Sequence, residues 1–134
     1  MIAEPVWINA RAQELLHDES LALFGGSSGM RDESLYQSAM ARPQNLLAYE
    51  ENCSIAQMAA AYCFGLAKNH PFVDGNKRIA FLSIGLFLGL NGFRLRVDQV
   101  EAIQITLGVA SSQVTEEQLA DWVEKNMNAL SVEK

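Results

Sequence analysis

Ser54 to Leu90, SIAQMAAAYCFGLAKNHPFVDGNKRIAFLSIGLFLGL, holds two apolar segments separated by a polar insert, His70-Pro71-Phe72-Val73-Asp74-Gly75-Asn76-Lys77-Arg78. Ser54 followed by Gln57 is a capping box, which predicts a helix from there to about Asn69; Ala59, Ala60 and Ala61 give it a face that admits close helix contact. Pro71 after His70 ends that helix. Another helix is expected from near Gly75 to Asn91-Gly92, a C-terminal signal of the left-handed kind. Its run from Ile79 to Leu90 is the most apolar part of the chain but well short of the ~20 residues of a bilayer span, so it reads as a buried core helix. The two most apolar helices therefore meet at the polar insert and hold it. Phe72, apolar in a polar run, is expected to plug inward and anchor the insert.

The insert carries the parts of a phosphate site. His70 has a side chain of the kind that titrates near neutrality, the natural proton acceptor for an attacking hydroxyl. Asp74 offers hard oxygen atoms suited to Mg²⁺, while Lys77 and Arg78 offer charge to phosphate oxygens. Gly75 lets the backbone come close to a ligand, and a helix beginning there aims unpaired N–H groups and a positive dipole end at an anion. Plainer roles stand beside these. His70 can simply end a helix, Asp74 can be the N-cap of the next one, alone or while also holding a metal, and Lys77 and Arg78 can be solvated first-turn charges. Cations oppose the dipole at a helix N-terminus, however, and their placement makes sense if an anion sits there.

The rest of the chain reads as helix nearly throughout. Asn9 caps a helix from Ala10 to about Phe24, with Leu15, Leu16, Ala22 and Leu23 apolar, and Gly25-Gly26-Ser27-Ser28-Gly29 breaks it. A further helix is expected over about Asp32 to Ala41, with Pro43 keeping Arg42 out of helical geometry and Gln44 to Cys53 left as a connector. Phe93, Leu95 and Val97 alternate with Arg94 and Arg96, a short extended piece. Asp98 caps a helix to about Ala110, and Thr115 with Gln118 repeats the capping box for a last one to about Leu130. Trp7 and Trp122 are expected to pack terminal segments, His17 to be an ordinary surface or core histidine, and Glu116, Glu117, Asp121 and Glu124 to form a solvated face. An all-α fold of about six helices follows, with 1–134 as one domain.

Composition narrows the function classes. At 134 residues the chain is long enough for one core and too short for two. A net charge of −6 argues against a general nucleic-acid binder, whose affinity rests on clustered Lys and Arg. Cys53 and Cys63 lack CxxC spacing and read as free thiols of a reducing cytoplasm. No signal segment opens the chain, so a cytoplasmic location and no membrane contact are expected.

The insert resembles the signature of the Fic/Doc family, HxFx(D/E)(G/A)N(G/K)R, at seven constrained positions, and Lys77 is similar to the variant of its Doc (death-on-curing) branch. Gly29-Met30-Arg31-Asp32, Ala41-Arg42-Pro43 and Ala59-Ala60-Ala61 extend the resemblance over most of the chain. It implies a Fic-like helical bundle in which Tyr49, Glu50, Glu51 and Asn52 stand where family members carry a flap that aligns the target, an ordinary loop being the alternative. It also implies His70 as catalytic base, Asp74 as ligand of Mg²⁺, and Gly75, Asn76, Lys77 and Arg78 as the holders of ATP or another nucleoside triphosphate. Family members with Gly at the Lys77 position and a second Arg three residues after the first typically transfer AMP. This chain has Lys77 and Phe81 there, so the implied activity is that of the Doc branch, phosphoryl transfer to elongation factor Tu that blocks translation; AMP transfer is the runner-up, and a non-catalytic nucleotide- or partner-binding module is the reading from another class. Self-restrained members resemble one another in an (S/T)xxxE(G/N) helix, which this sequence does not contain. The implied partner is an antitoxin whose disordered C-terminal segment folds on binding.

Overall fold

The computed structural model describes residues 4–130. Asn9 accepts from the Arg11 and Ala12 amides to start α1, Ala10–Phe24, which Gly25 ends with positive φ. Asp32 caps α2, Glu33–Tyr49, by accepting from the Leu35 N–H. α3, Ile55–Asn69, opens on the expected reciprocal Ser54 and Gln57 capping box. α4, Asn76–Leu90, follows the polar insert. Strand β1, Phe93–Leu95, leads to α5, Gln99–Ala110, capped by Asp98, and α6, Glu116–Asn126, opens on the Thr115 and Gln118 box. Strand β2, Met127–Ala129, pairs antiparallel with β1, setting Phe93 opposite Ala129 and Leu95 opposite Met127.

α3 is the axis of the bundle. Ala59, Ala60, Ala61 and Leu66 have no exposed surface, and α2, α4 and α6 pack around it. Small residues bring the helices together: a Cβ added at Gly65 would lie 3.2 Å from the Ala39 Cα of α2. Ile79, Ile84, Phe87 and Leu88 bury the inner face of α4 against the same axis. Trp7 stacks on Phe87 with ring centroids 6.0 Å apart, and Trp122 packs at the core's edge, so both tryptophans tie terminal segments down. No helix among the described residues is long and apolar enough to cross a membrane.

Two expectations are corrected. α2 does not stop before Pro43 but runs through it to Tyr49, leaving a connector of only a few residues before α3 and no extended flap. The reason is tertiary. Tyr36, Ala39 and Pro43 form one buried stripe against α3, and that burial outweighs the lost N–H and the local preference of Arg42. The last helix ends at Asn126 rather than near Leu130, because Met127 to Ala129 join β1 as a strand.

Candidate active site

Between α3 and α4 the insert forms a tight loop anchored at Phe72, 3% exposed, whose burial stabilises by about 1.5–3 kcal/mol. The Phe72 ring lies against His17 of α1, stacked at 3.8 Å, and meets Tyr36 of α2 edge-on at 5.4 Å. The segment after α1 grips the loop from outside. Arg31 and Asp32 N–H groups donate to Pro71 O at 2.7 and 3.0 Å, and the Val73 N–H donates to Gly29 O at 2.9 Å.

His70 is the C-cap of α3, exposed, and left-handed at φ 53 and ψ 53, an uncommon conformation for a residue with a Cβ. Its N–H donates to Leu66 O, and Arg31 spans the two carbonyls that the helix end leaves over, Nε to His70 O at 2.7 Å and Nη2 to Asn69 O at 2.9 Å. The left-handed turn, rather than the proline alone, thus ends α3 and swings the imidazole over the start of α4.

Asn76 is buried, and its amide is committed to the loop. Oδ1 accepts from the Phe72 N–H at 2.9 Å, Nδ2 donates to Phe72 O at 2.9 Å, and Nδ2 also faces His70 Nδ1 at 3.1 Å. Asn76, expected among the phosphate holders, therefore offers an anion only its backbone N–H. Because Nδ2 can only donate, Nδ1 of His70 carries the basic lone pair, and the proton of the neutral ring sits on Nε2.

Asp74 is not the N-cap of α4. That position is Gly75, left-handed at φ 75, and α4 has no side-chain cap. The Asp74 carboxylate instead accepts from the Ser27 N–H at 3.2 Å and the Gly75 N–H at 2.8 Å, which hold it below the usual carboxylate range. It is exposed and ionised, so it fits one hard-oxygen ligand of Mg²⁺. Among the described residues no group of three or more His, Cys, Asp and Glu side chains is placed to hold a metal, so an Mg²⁺ here would also rest on phosphate oxygens.

α4 starts with no acidic residue in its first turn and two cations instead. Ile79 makes the first intrahelical bond, to Gly75 O, which leaves the N–H groups of Asn76, Lys77 and Arg78 without a helical acceptor. Lys77 is exposed; Arg78 Nη1 donates to Gly25 O at 3.2 Å and to Ser20 Oγ at 3.3 Å, with its guanidinium 5.3 Å from the Phe24 ring centroid. These groups open into a cavity of about 540 Å³ that also takes in His70, Asp74 and Gly75, with Phe24, Phe81, Ile103 and Leu107 as an apolar wall. All six residues singled out from the sequence thus border one cavity. Sequence reasoning missed the supports, His17, Ser20 and Arg31, and the α5 wall. The signal for the first two was polar residues at helical spacing in α1, whose buried positions are Gln13, His17, Ser20 and Leu21.

The comparisons agree with this geometry. A family model described as "Fic/DOC family" matches residues 7–88. The chain is 34% identical over 110 residues to "Protein kinase doc" of Escherichia phage P1, which covers 82% of this chain and 86% of that protein. It is 39% identical over 87 residues to "Toxin Doc" of Mycolicibacterium smegmatis (strain ATCC 700084 / mc(2)155), covering 64% of this chain and 66% of that one. With the helical fold, the loop at the start of α4 and Lys77 in place, the chain belongs to the Fic/DOC family, on its Doc branch.

Proposed function

We propose that this protein is the toxin of a toxin-antitoxin pair and transfers the γ-phosphoryl group of ATP, or of another nucleoside triphosphate, to a hydroxyl of a translation protein, elongation factor Tu being the target we favour. The observation that carries the reading is the uncapped start of α4, where free N–H groups, Lys77 and Arg78 share one cavity with the His70 imidazole. The names of the two relatives, a protein kinase and a toxin, point the same way.

In this reading the α4 amides and the two cations take the phosphate oxygens. Asp74 would hold Mg²⁺ together with the polyphosphate, and the ion would supply charge neutralisation there. The target hydroxyl approaches His70 Nδ1 and displaces the Asn76 N–H, whose 3.1 Å contact is at the long end of hydrogen bonding. Its oxygen bonds the γ-phosphorus, its proton goes to Nδ1, and the nucleoside diphosphate leaves. Lys77 fills the space beside the helix N-terminus, and Phe81 supplies no second cation, both of which favour a pose with the γ-phosphorus toward the hydroxyl. Exposed Phe24, Ile103 and Leu107 line the cavity and suit the apolar face of an antitoxin segment that becomes helical on binding.

Induced expression of this chain in a bacterial host tests the reading as a toxin. We expect growth arrest, none with the His70→Ala form, and relief when the cognate antitoxin is co-expressed. Normal growth in a host whose elongation factor the protein modifies in a cell extract would remove the toxin reading.

A further inference from the structure

Three buried polar residues of α1 face α4 and the loop. Gln13 Nε2 donates to Ser83 Oγ at 2.9 Å, His17 Nε2 lies 2.8 Å from Asp74 O, and Ser20 Oγ accepts from Arg78. His17 is the central one: 2% exposed, stacked on Phe72, and in contact with the crest of the loop. A carbonyl oxygen only accepts, so Nε2 carries the hydrogen.

We propose that His17 is a positioning residue of the phosphoryl-transfer site, holding the Asp74–Gly75 peptide in the one orientation that sets both the Asp74 carboxylate and the α4 amides. The proposal rests on the transfer reading above. A peptide unit is a rigid plane, so a carbonyl held toward His17 sends the Gly75 N–H to the opposite side. There it meets Asp74 Oδ1 at 2.8 Å and fixes the carboxylate. Gly75 then turns left-handed, which swings the Asn76, Lys77 and Arg78 amides toward the cavity. No slack is present at this point: a Cβ added at Gly75 would lie 3.3 Å from His17 Nε2 and 3.2 Å from Leu21 Cδ2. The imidazole thus does two things at once. Its face supports the Phe72 anchor, and its N–H fixes the peptide beside the reacting groups.

Two substitutions separate these contributions. His17→Phe keeps a flat ring for Phe72 and removes the donor; His17→Gln keeps a donor near the Nε2 position and removes the ring. Because groups displaced by about an ångström lose on the order of 10²-fold in rate, we expect kcat for γ-phosphoryl transfer to fall about 10²-fold in the Phe protein and less than about tenfold in the Gln protein. The Gln protein should be the more active of the two even where it melts at the lower temperature, an inversion that a purely structural role does not produce. A folded Phe protein with wild-type kcat, or a Gln protein as slow as the Phe one, would overturn the proposal. Should His17→Phe not fold, His17→Leu takes its place in the same comparison. Amide hydrogen exchange separates failure of this proposal from failure of the transfer reading. The Gly75 and Ser27 amides, bonded to the two oxygens of the Asp74 carboxylate, should exchange faster in the Phe than in the Gln protein, with the α3 amides unchanged, even if the wild type transfers no label. Equal exchange in the two would overturn the positioning role by itself.

Discussion

Two depressions of nearly equal volume, about 560 and about 540 Å³, lie at opposite ends of α3, and only one has an uncapped helix start that could receive an anion. At the Ser54 end, Ser54 and Gln57 close the helix N-terminus reciprocally, and Glu50, Glu116, Glu117, Asp121 and Glu124 surround it. At the His70 end, the N-terminus of α4 has no side-chain cap and carries Lys77 and Arg78. Size does not separate the two. The state of the helix end does, because a capped terminus in a field of carboxylates repels a polyphosphate, whereas an uncapped one with two cations has unmet donors and surplus positive charge. The backbone tells the same difference: the left-handed His70, uncommon for a residue with a Cβ, and the left-handed Gly75 are both at the open end.

The substitution expected to damage the open end most is His70→Ala. Transfer should fall by ~10²–10⁴-fold, the usual contribution of a general base, with helix content by circular dichroism and nucleotide binding near those of the wild type. Retention of more than about a tenth of the rate would take His70 out of that role. Asp74→Asn comes next. It keeps an acceptor for the loop amides but removes the charge that would hold Mg²⁺, so the rate should drop about 10²-fold and the half-saturating Mg²⁺ concentration should rise. An unchanged metal titration would leave Asp74 with only its Ser27 and Gly75 contacts.

Lys77→Gly sharpens the comparison from another side. Emptying the space at the helix N-terminus should lower γ-phosphoryl transfer about tenfold and let AMP transfer emerge, since orientation decides which phosphorus lies in line with the hydroxyl. Phe81 limits the gain, and a variant that still transfers only the γ-phosphate would show that Lys77 does not select the pose. The smallest effect belongs to the other end of α3. Glu117→Gln combined with Asp121→Asn should leave the rate and the stability within about 0.5 kcal/mol, the ordinary range for exposed positions. A tenfold loss there would mean that the acidic depression takes part in the reaction.

Much of this was legible in the sequence because caps are local. The Asn9, Ser54, Asp98 and Thr115 caps placed the starts of α1, α3, α5 and α6 to within a residue, and the insert named itself by composition. What was not legible depends on distant partners. Pro43 reads as a stop until α3 is present to bury it, and Met127 to Ala129 read as helix until β1 lies beside them. His17 looked ordinary because its partners are a carbonyl 57 residues away and a ring on the far side of α2 in the chain order. For Asn76 the sequence does not show which group is available: Phe72 and His70 use up its side-chain amide, which leaves its backbone N–H for a ligand.

The most direct test of the central claim is incubation of the wild-type protein and its His70→Ala form with cell extract, Mg²⁺ and ATP labelled either at the γ or at the α phosphorus. Label entering a protein band from the γ position alone, with wild type and not with His70→Ala, is the predicted result. Label from the α position would contradict the phosphoryl-transfer account in favour of AMP transfer, and label from neither would contradict the enzyme reading altogether.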